Sequence, residues 1–206
     1  MKLFKNIFAS SDKQANIVTA VEREMFIKCF PNSLTAEVNS LLDKLTWRKS
    51  HDTTECFTIK LDDETIYIPY RIYYEEPTQQ NLTNTETFIL DCIFTRHHNG
   101  YVREKRLNNI VSSDHYLATP FIAQLIGEYV VEILKLIKDH LTPRLIDNLI
   151  KLQTDNPKFF KITENRVQSY WDCYYKWTTK KSDYVGFQIL KAIKERTSEI
   201  KNCPPD

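Results

Sequence analysis

The chain has 206 residues, 42% of them apolar and 27% charged, with a net charge of +1, which suits a globular protein with one sizeable core and excludes a disordered chain. Only three glycines are present, which points to long regular elements and leaves too few for a phosphate-cradling loop. The five cysteines (Cys29, Cys56, Cys92, Cys173, Cys203) are odd in number and form no CxxC pair, so a disulfide framework and a zinc knuckle are not expected and a reducing cytoplasm is.

The first apolar run, "MKLFKNIF", is broken at Lys5 and Asn6 and does not read as a signal peptide. From Gln14 to Phe30, Ile17, Val18, Val21, Met25, Phe26 and Phe30 recur at helical spacing, and Pro31 stops the pattern. A second helix is expected from Ser33 to Leu45, with Leu34, Val38, Leu41, Leu42 and Leu45 as its apolar stripe. The period then falls to two: "ECFTIKL" and "ETIYIPYRIYY" read as a β-hairpin over about residues 55–75, turning at Asp62 and Asp63. Pro69 cannot donate to a ladder and predicts an edge or a bend there.

Residues 51–92 hold two basic and nine acidic side chains, the largest local imbalance in the chain. Asp62, Asp63, Glu64, Glu75 and Glu76, interspersed with Tyr67, Tyr70 and Tyr73, give a negative, aromatic surface of the kind that captures a basic protein partner. The polar stretch "EEPTQQNLTNTE" separates an N-terminal α+β part, residues 1–78, from a helical part, residues 82–206, the two packed as one body.

In the second part a helix is expected up to His98, closed by Asn99-Gly100 as a left-handed stop, followed by a short helix from Tyr101 to Val111. In that helix Arg103 and Arg106 are expected to point mostly outward. Thr119-Pro120 and Thr142-Pro143 each set a capping hydroxyl before a proline, opening a long central helix, Phe121 to His140, and another from Arg144 to Gln153. Gln124, Glu128, Glu132 and Lys135 form the polar stripe of the long one, solvated or salt-bridged along its face. Two more helices follow, Thr163 to Trp177 and Ser182 to Ile200, before the tail "NCPPD". Cys92 and Cys173, both inside helical patterns, read as small buried apolar groups.

The helix, Asn-Gly turn and helix start "NGYVREKRLNNI" resemble the helical-hairpin unit of HEAT-type repeats, over about residues 82–152. That resemblance implies a HEAT-like C-terminal bundle. "NGYVREK" and "GEYVVEI" are alike but no clean period recurs, so a full solenoid is not expected. The combination of "IPYRIYY", "TRHHNGYVREKRL" and "PFIAQLIGEYVVEILK" is also similar to a group of uncharacterised bacterial proteins, which implies a bacterial cytoplasmic origin and brings no catalytic residue to carry over. The fold class expected is mainly α with a small β-hairpin.

For chemistry, the adjacent His97 and His98 project about 100° apart on a helix and lack partners at ligand spacing, so no metal and no cofactor is expected. No hydrolase, kinase or dinucleotide motif occurs. Arg96, His97, His98, Arg103 and Arg106 form a basic corner, and "RVQSYWDCYYKWTTKK" interleaves aromatics with cations as stacking on single-stranded nucleic acid requires. The reading these features favour is a non-enzymatic protein-binding module, a bacterial immunity-type protein that occludes a cationic toxin through the acidic β-hairpin or the helical-hairpin surface. The alternative is a nucleic-acid-binding or nucleic-acid-processing protein that uses the basic corner and the C-terminal aromatic segment. No membrane span is expected, since the longest apolar run carries Gln124, Glu128 and Glu132.

Overall fold

The computed structural model describes residues 18–78, 81–113 and 115–202. The tail "NCPPD" beyond Asn202 and the expected helix start at Gln14 lie outside them. Helix α1 spans Ala20–Ile27, and Thr19 opens it with a capping box in which Glu22 reciprocates. That box fixes the start later than the apolar spacing suggests. Helix α2, Thr35–Lys44, buries Val38, Leu41 and Leu42. Strands β1, Cys56–Leu61, and β2, Glu64–Pro69, pair antiparallel with Ile59 opposite Ile66 and Phe57 opposite Ile68. Phe57, Ile59, Leu61, Ile66 and Ile68 are buried, the inward half of the two-residue alternation. Asp62 takes φ 52° at the turn, a conformation that aspartate tolerates better than most residues.

Helix α3, Asn84–Phe94, starts from a second capping box, Thr83 with Glu86. Helix α4, Gly100–Ile110, follows after a tight corner. Asn99 opens α4 rather than closing α3, since its side chain accepts a 3.0 Å hydrogen bond from the amide of Tyr101 and Gly100 is already helical. The long central helix is two helices, α5 (Thr119–Ile126) and α6 (Val131–Asp139), broken at Gly127 to Val130. Every residue of α5 is buried, so it is the central element. Thr119 is not its cap; its hydroxyl lies inside the helix with no partner among the described residues. Thr142 does cap α7, Pro143–Asp155, as its proline pair predicts.

Helix α8, Pro157–Tyr170, starts a turn and a half earlier than expected and runs into a π-helical turn, Trp171–Tyr175; α9, Val185–Asn202, closes the bundle. The π turn takes Cys173 out to the surface, so it is not the buried small group its helical pattern suggested. Between α7 and α8, the buried Asn156 gives its amide to the Lys60 carbonyl and takes the Lys60 amide, each at 2.8 Å. It satisfies the open edge of β1 there. The fold is mainly α with a two-stranded hairpin, as expected. One continuous apolar cluster runs from Val18 through Trp47, Phe94 and Phe121 to Ile193, joining both expected parts of the chain. Helices α3 and α4 pair as a hairpin, but α5 packs on α6, α7 and α8 and not in a repeating stack.

Candidate functional site

After β2 the chain crosses the α3–α4 corner, where Ile72 bridges His97 and donates its amide to the Arg96 carbonyl at 2.9 Å. This crossing brings Arg71 beside Arg96 and Arg103. The α5–α6 break brings Glu128 to the same point. Glu128 Oε1 accepts from Arg71 at 2.6 Å, its Oε2 accepts from Arg103 at 3.1 Å, and Arg96 lies 4.0 Å from Oε1. Arg96, Arg103 and Glu128 are all buried. Glu128 is therefore the counter-charge of a buried arginine cluster and not part of a solvated stripe. A charge withdrawn from water costs several kcal/mol and survives only with close partners, which Arg71 and Arg103 supply here.

The remaining guanidinium donors go mainly to backbone. Arg96 donates to the Tyr70 carbonyl, and Arg103 donates to those of His97 and His98 at 2.9 and 2.8 Å. Nε and Nη1 of Arg96 have no partner among the described residues. Burial, then the nearby Arg71, pushes the Arg96 guanidinium down to about 9, with Arg103 and Arg166 adding to the effect and Glu128 opposing it; it remains a cation at neutral pH. Burial lowers Arg103 as well, against the pull of Glu128.

The other members of the sequence-predicted basic corner are also structural. Arg106 is buried, bonded to Asp91 at 2.8 Å and to Glu76 at 2.7 Å, over the Phe94 ring. It does not point outward. His97 is buried, with Nε2 facing the Tyr74 carbonyl at 2.7 Å and Nδ1 accepting from the Asn99 amide at 3.1 Å. Both nitrogens are occupied, the neutral tautomer with hydrogen on Nε2 is fixed, and burial lowers its pKa. His98 alone of the five is exposed, stacked on Tyr73 with ring centres 5.1 Å apart. Among the described residues no group of three His, Cys, Asp or Glu side chains is placed to hold a metal ion.

The acidic set divides in two. At the hairpin tip Asp62 pairs with Lys151 of α7, and Glu64 accepts from the Asn32 amide at 2.8 Å. Beyond the end of β2, Glu76 pairs with Arg106 and Lys105, and Glu75 faces Arg48 at 3.7 Å. Tyr70 and Tyr73 are half-buried, and Tyr67 is 43% exposed. Asp62 and Asp63 at the turn and Tyr67 in mid-strand are the exposed members of the set on the hairpin.

In front of the buried arginines lies a polar cleft of about 220 Å³, lined by Tyr70, Arg71, Gln124, Gly127, Glu128, Arg166 and Tyr170. Arg166, on α8, rests over the Tyr70 ring at 5.1 Å and forms no ion pair among the described residues. The cleft opens beside Tyr129, Tyr170 and Tyr174, whose ring centres are 5.8 to 6.2 Å apart. Tyr129 is 48% exposed, Tyr174 62% and Trp177 86%, with Lys176 over the Trp177 ring. Tyr170, Trp171 and Tyr174, which recur at helical spacing in the sequence, are thus turned partly to solvent.

Gln124, Gly127, Glu128, Tyr129 and Arg71 were not singled out as a site by their sequence pattern. The available signal was a glutamine and a glutamate inside the most apolar segment, where a polar group needs a partner. Comparison of the chain with protein-family models, curated proteins and solved structures finds no match.

Proposed function

We propose that the protein is a non-enzymatic protein-binding module whose contact face is the tyrosine and tryptophan surface around the arginine cleft. The observation that carries this reading is the exposure of Tyr129 and Tyr174, whose rings pack with that of Tyr170 in the arginine cleft, together with that of Trp177 three residues on. Tyrosine, tryptophan and arginine are the residues that dominate binding energy at protein interfaces, because they bury large areas at little entropy cost and keep a polar end. The surplus of guanidinium groups in the cleft favours a partner that presents an anionic group. Capture of a cationic toxin by the acidic hairpin has less to work with, since Asp62, Glu64 and Glu76 already have partners within the chain.

The test is affinity capture from a lysate of the source cell, with bound proteins identified and then titrated in pure form. Tyr174→Ala with Trp177→Ala is expected to weaken the identified partner by about tenfold or more. Asp62→Lys with Asp63→Lys is expected to leave it unchanged. Equal binding by the aromatic variant sinks this face, and loss with the hairpin variant moves the site to the hairpin. A salt titration against single-stranded oligonucleotides covers the nucleic-acid reading, which Lys176 over the exposed Trp177 ring and Lys181 over the half-buried Trp171 ring favour.

A further inference from the structure

Four guanidinium groups, those of Arg71, Arg96, Arg103 and Arg166, act on the cleft and the ground behind it, and Glu128 is the carboxylate that faces them. Counted as whole charges the cluster is three positive. Both Glu128 oxygens are held by Arg71 and Arg103, which leaves Arg166 without a counter-ion among the described residues. Gln124, 4% exposed, lines the same cleft, and its side-chain oxygen has no hydrogen-bond partner among the described residues. An amide can turn by half a rotation and offer either its NH2 or its oxygen to a ligand.

The backbone is shaped for this arrangement. A Cβ on Gly127 would lie 3.2 Å from Cδ and 3.3 Å from Cβ of Arg166, so the glycine lets the arginine stem close over the α5–α6 break. The conformation of Gly127, φ −87° and ψ 35°, is one any residue adopts. Close approach, not backbone freedom, is the reason for glycine here.

We propose that the cleft is a receptor for a phosphoryl monoester, carried by the protein partner and bound between Arg166, Arg71 and the Gln124 amide. A dianion offsets two of the three surplus charges, where a carboxylate offsets one. The planar guanidinium fork matches phosphate oxygens two at a time. The volume of about 220 Å³ holds several groups of water size, each roughly 30 Å³, which is room for a phosphoryl group and the start of its ester. The tyrosines at the rim, Tyr170 and Tyr129, would then lie against the group that bears the ester. The identity of the carrier rests on the protein-binding reading above; the anion site itself does not.

The test uses the purified full chain with no partner present. Inorganic phosphate is titrated at constant ionic strength against chloride, with calorimetry and thermal unfolding as readouts. Saturable binding and a rise in the melting midpoint are expected with phosphate and not with chloride. Arg166→Ala, outside the Glu128 ion pairs, is expected to weaken phosphate by about tenfold or more, as loss of a charge-assisted hydrogen bond does. Gln124→Leu, which keeps the volume and removes the amide, is expected to weaken it several-fold. No saturable phosphate binding, or an affinity unchanged in both variants, overturns the site. Phenyl phosphate and adenosine 5′-monophosphate separate the carriers: tighter phenyl phosphate supports a phosphorylated side chain, and tighter nucleotide overturns the protein source while the site stands.

Discussion

At the scale of single residues, burial follows partnership and not residue type. Arg103 and Arg106 lie in the core because Glu128, Asp91, Glu76 and backbone carbonyls take most of their donors, and Arg96 lies there with Nη2 on the Tyr70 carbonyl and Glu128 4.0 Å away. The default that charged residues face water fails at these positions, and nothing local flags it: Arg71 and Glu128 are 57 residues apart, Arg103 and Glu128 25. Apolar spacing reports which side of a helix is buried, but it cannot report a partner so distant in sequence. Glu128→Gln is expected to destabilise the fold by about 3–5 kcal/mol, because it strips the counter-charge from buried arginines. Glu132→Gln, at the exposed next turn, is expected to stay within about 0.5 kcal/mol. Urea unfolding of the two variants checks both, and equal losses would deny the cluster its structural role.

At the scale of elements, the hairpin and most helices were legible, because alternation and helical spacing are local properties. The α5–α6 break was not. Ile126 and Ile133 are seven residues apart, two full turns, so the apolar stripe keeps phase across the interruption and a single helix fits equally well. The rotation of Tyr174 to the surface was hidden for a related reason: a π turn inserts an extra residue, and spacing counted at 3.6 then assigns the wrong face. Packing between elements is tight where glycine allows it. A Cβ on Gly186, in α9, would sit 2.9 Å from Val167 Cγ1 on α8 and 2.9 Å from Tyr184 Cε1. Gly186→Ala is therefore expected to cost about 1–3 kcal/mol by overpacking, measured as a lower unfolding midpoint. An unchanged midpoint would mean that the α8–α9 contact yields freely.

At the scale of the whole molecule, the polar stretch near Pro77 marks a change of architecture but not a division of the core. Tyr74 packs with Trp47 and Phe26, Trp47 with Phe94, and Glu76 reaches back to Arg106. A fragment of residues 82–206 loses Arg71 and the strand-like crossing at Ile72. A fragment of residues 1–112 loses Glu128 and the central helix. Neither is expected to melt cooperatively by circular dichroism or to resist protease as the full chain does, and a cooperative transition in either would show that the parts fold alone.

The placement of Glu128 also orders events during synthesis. Arg71, Arg96 and Arg103 leave the ribosome first, and their shared anion follows 25 residues after Arg103. At roughly 5–20 residues per second that interval is about 1–5 s. During it the α3–α4 corner cannot close over its cations at reasonable cost, so the nascent N-terminal half stays open and exposed to other acidic surfaces until the middle of the chain arrives.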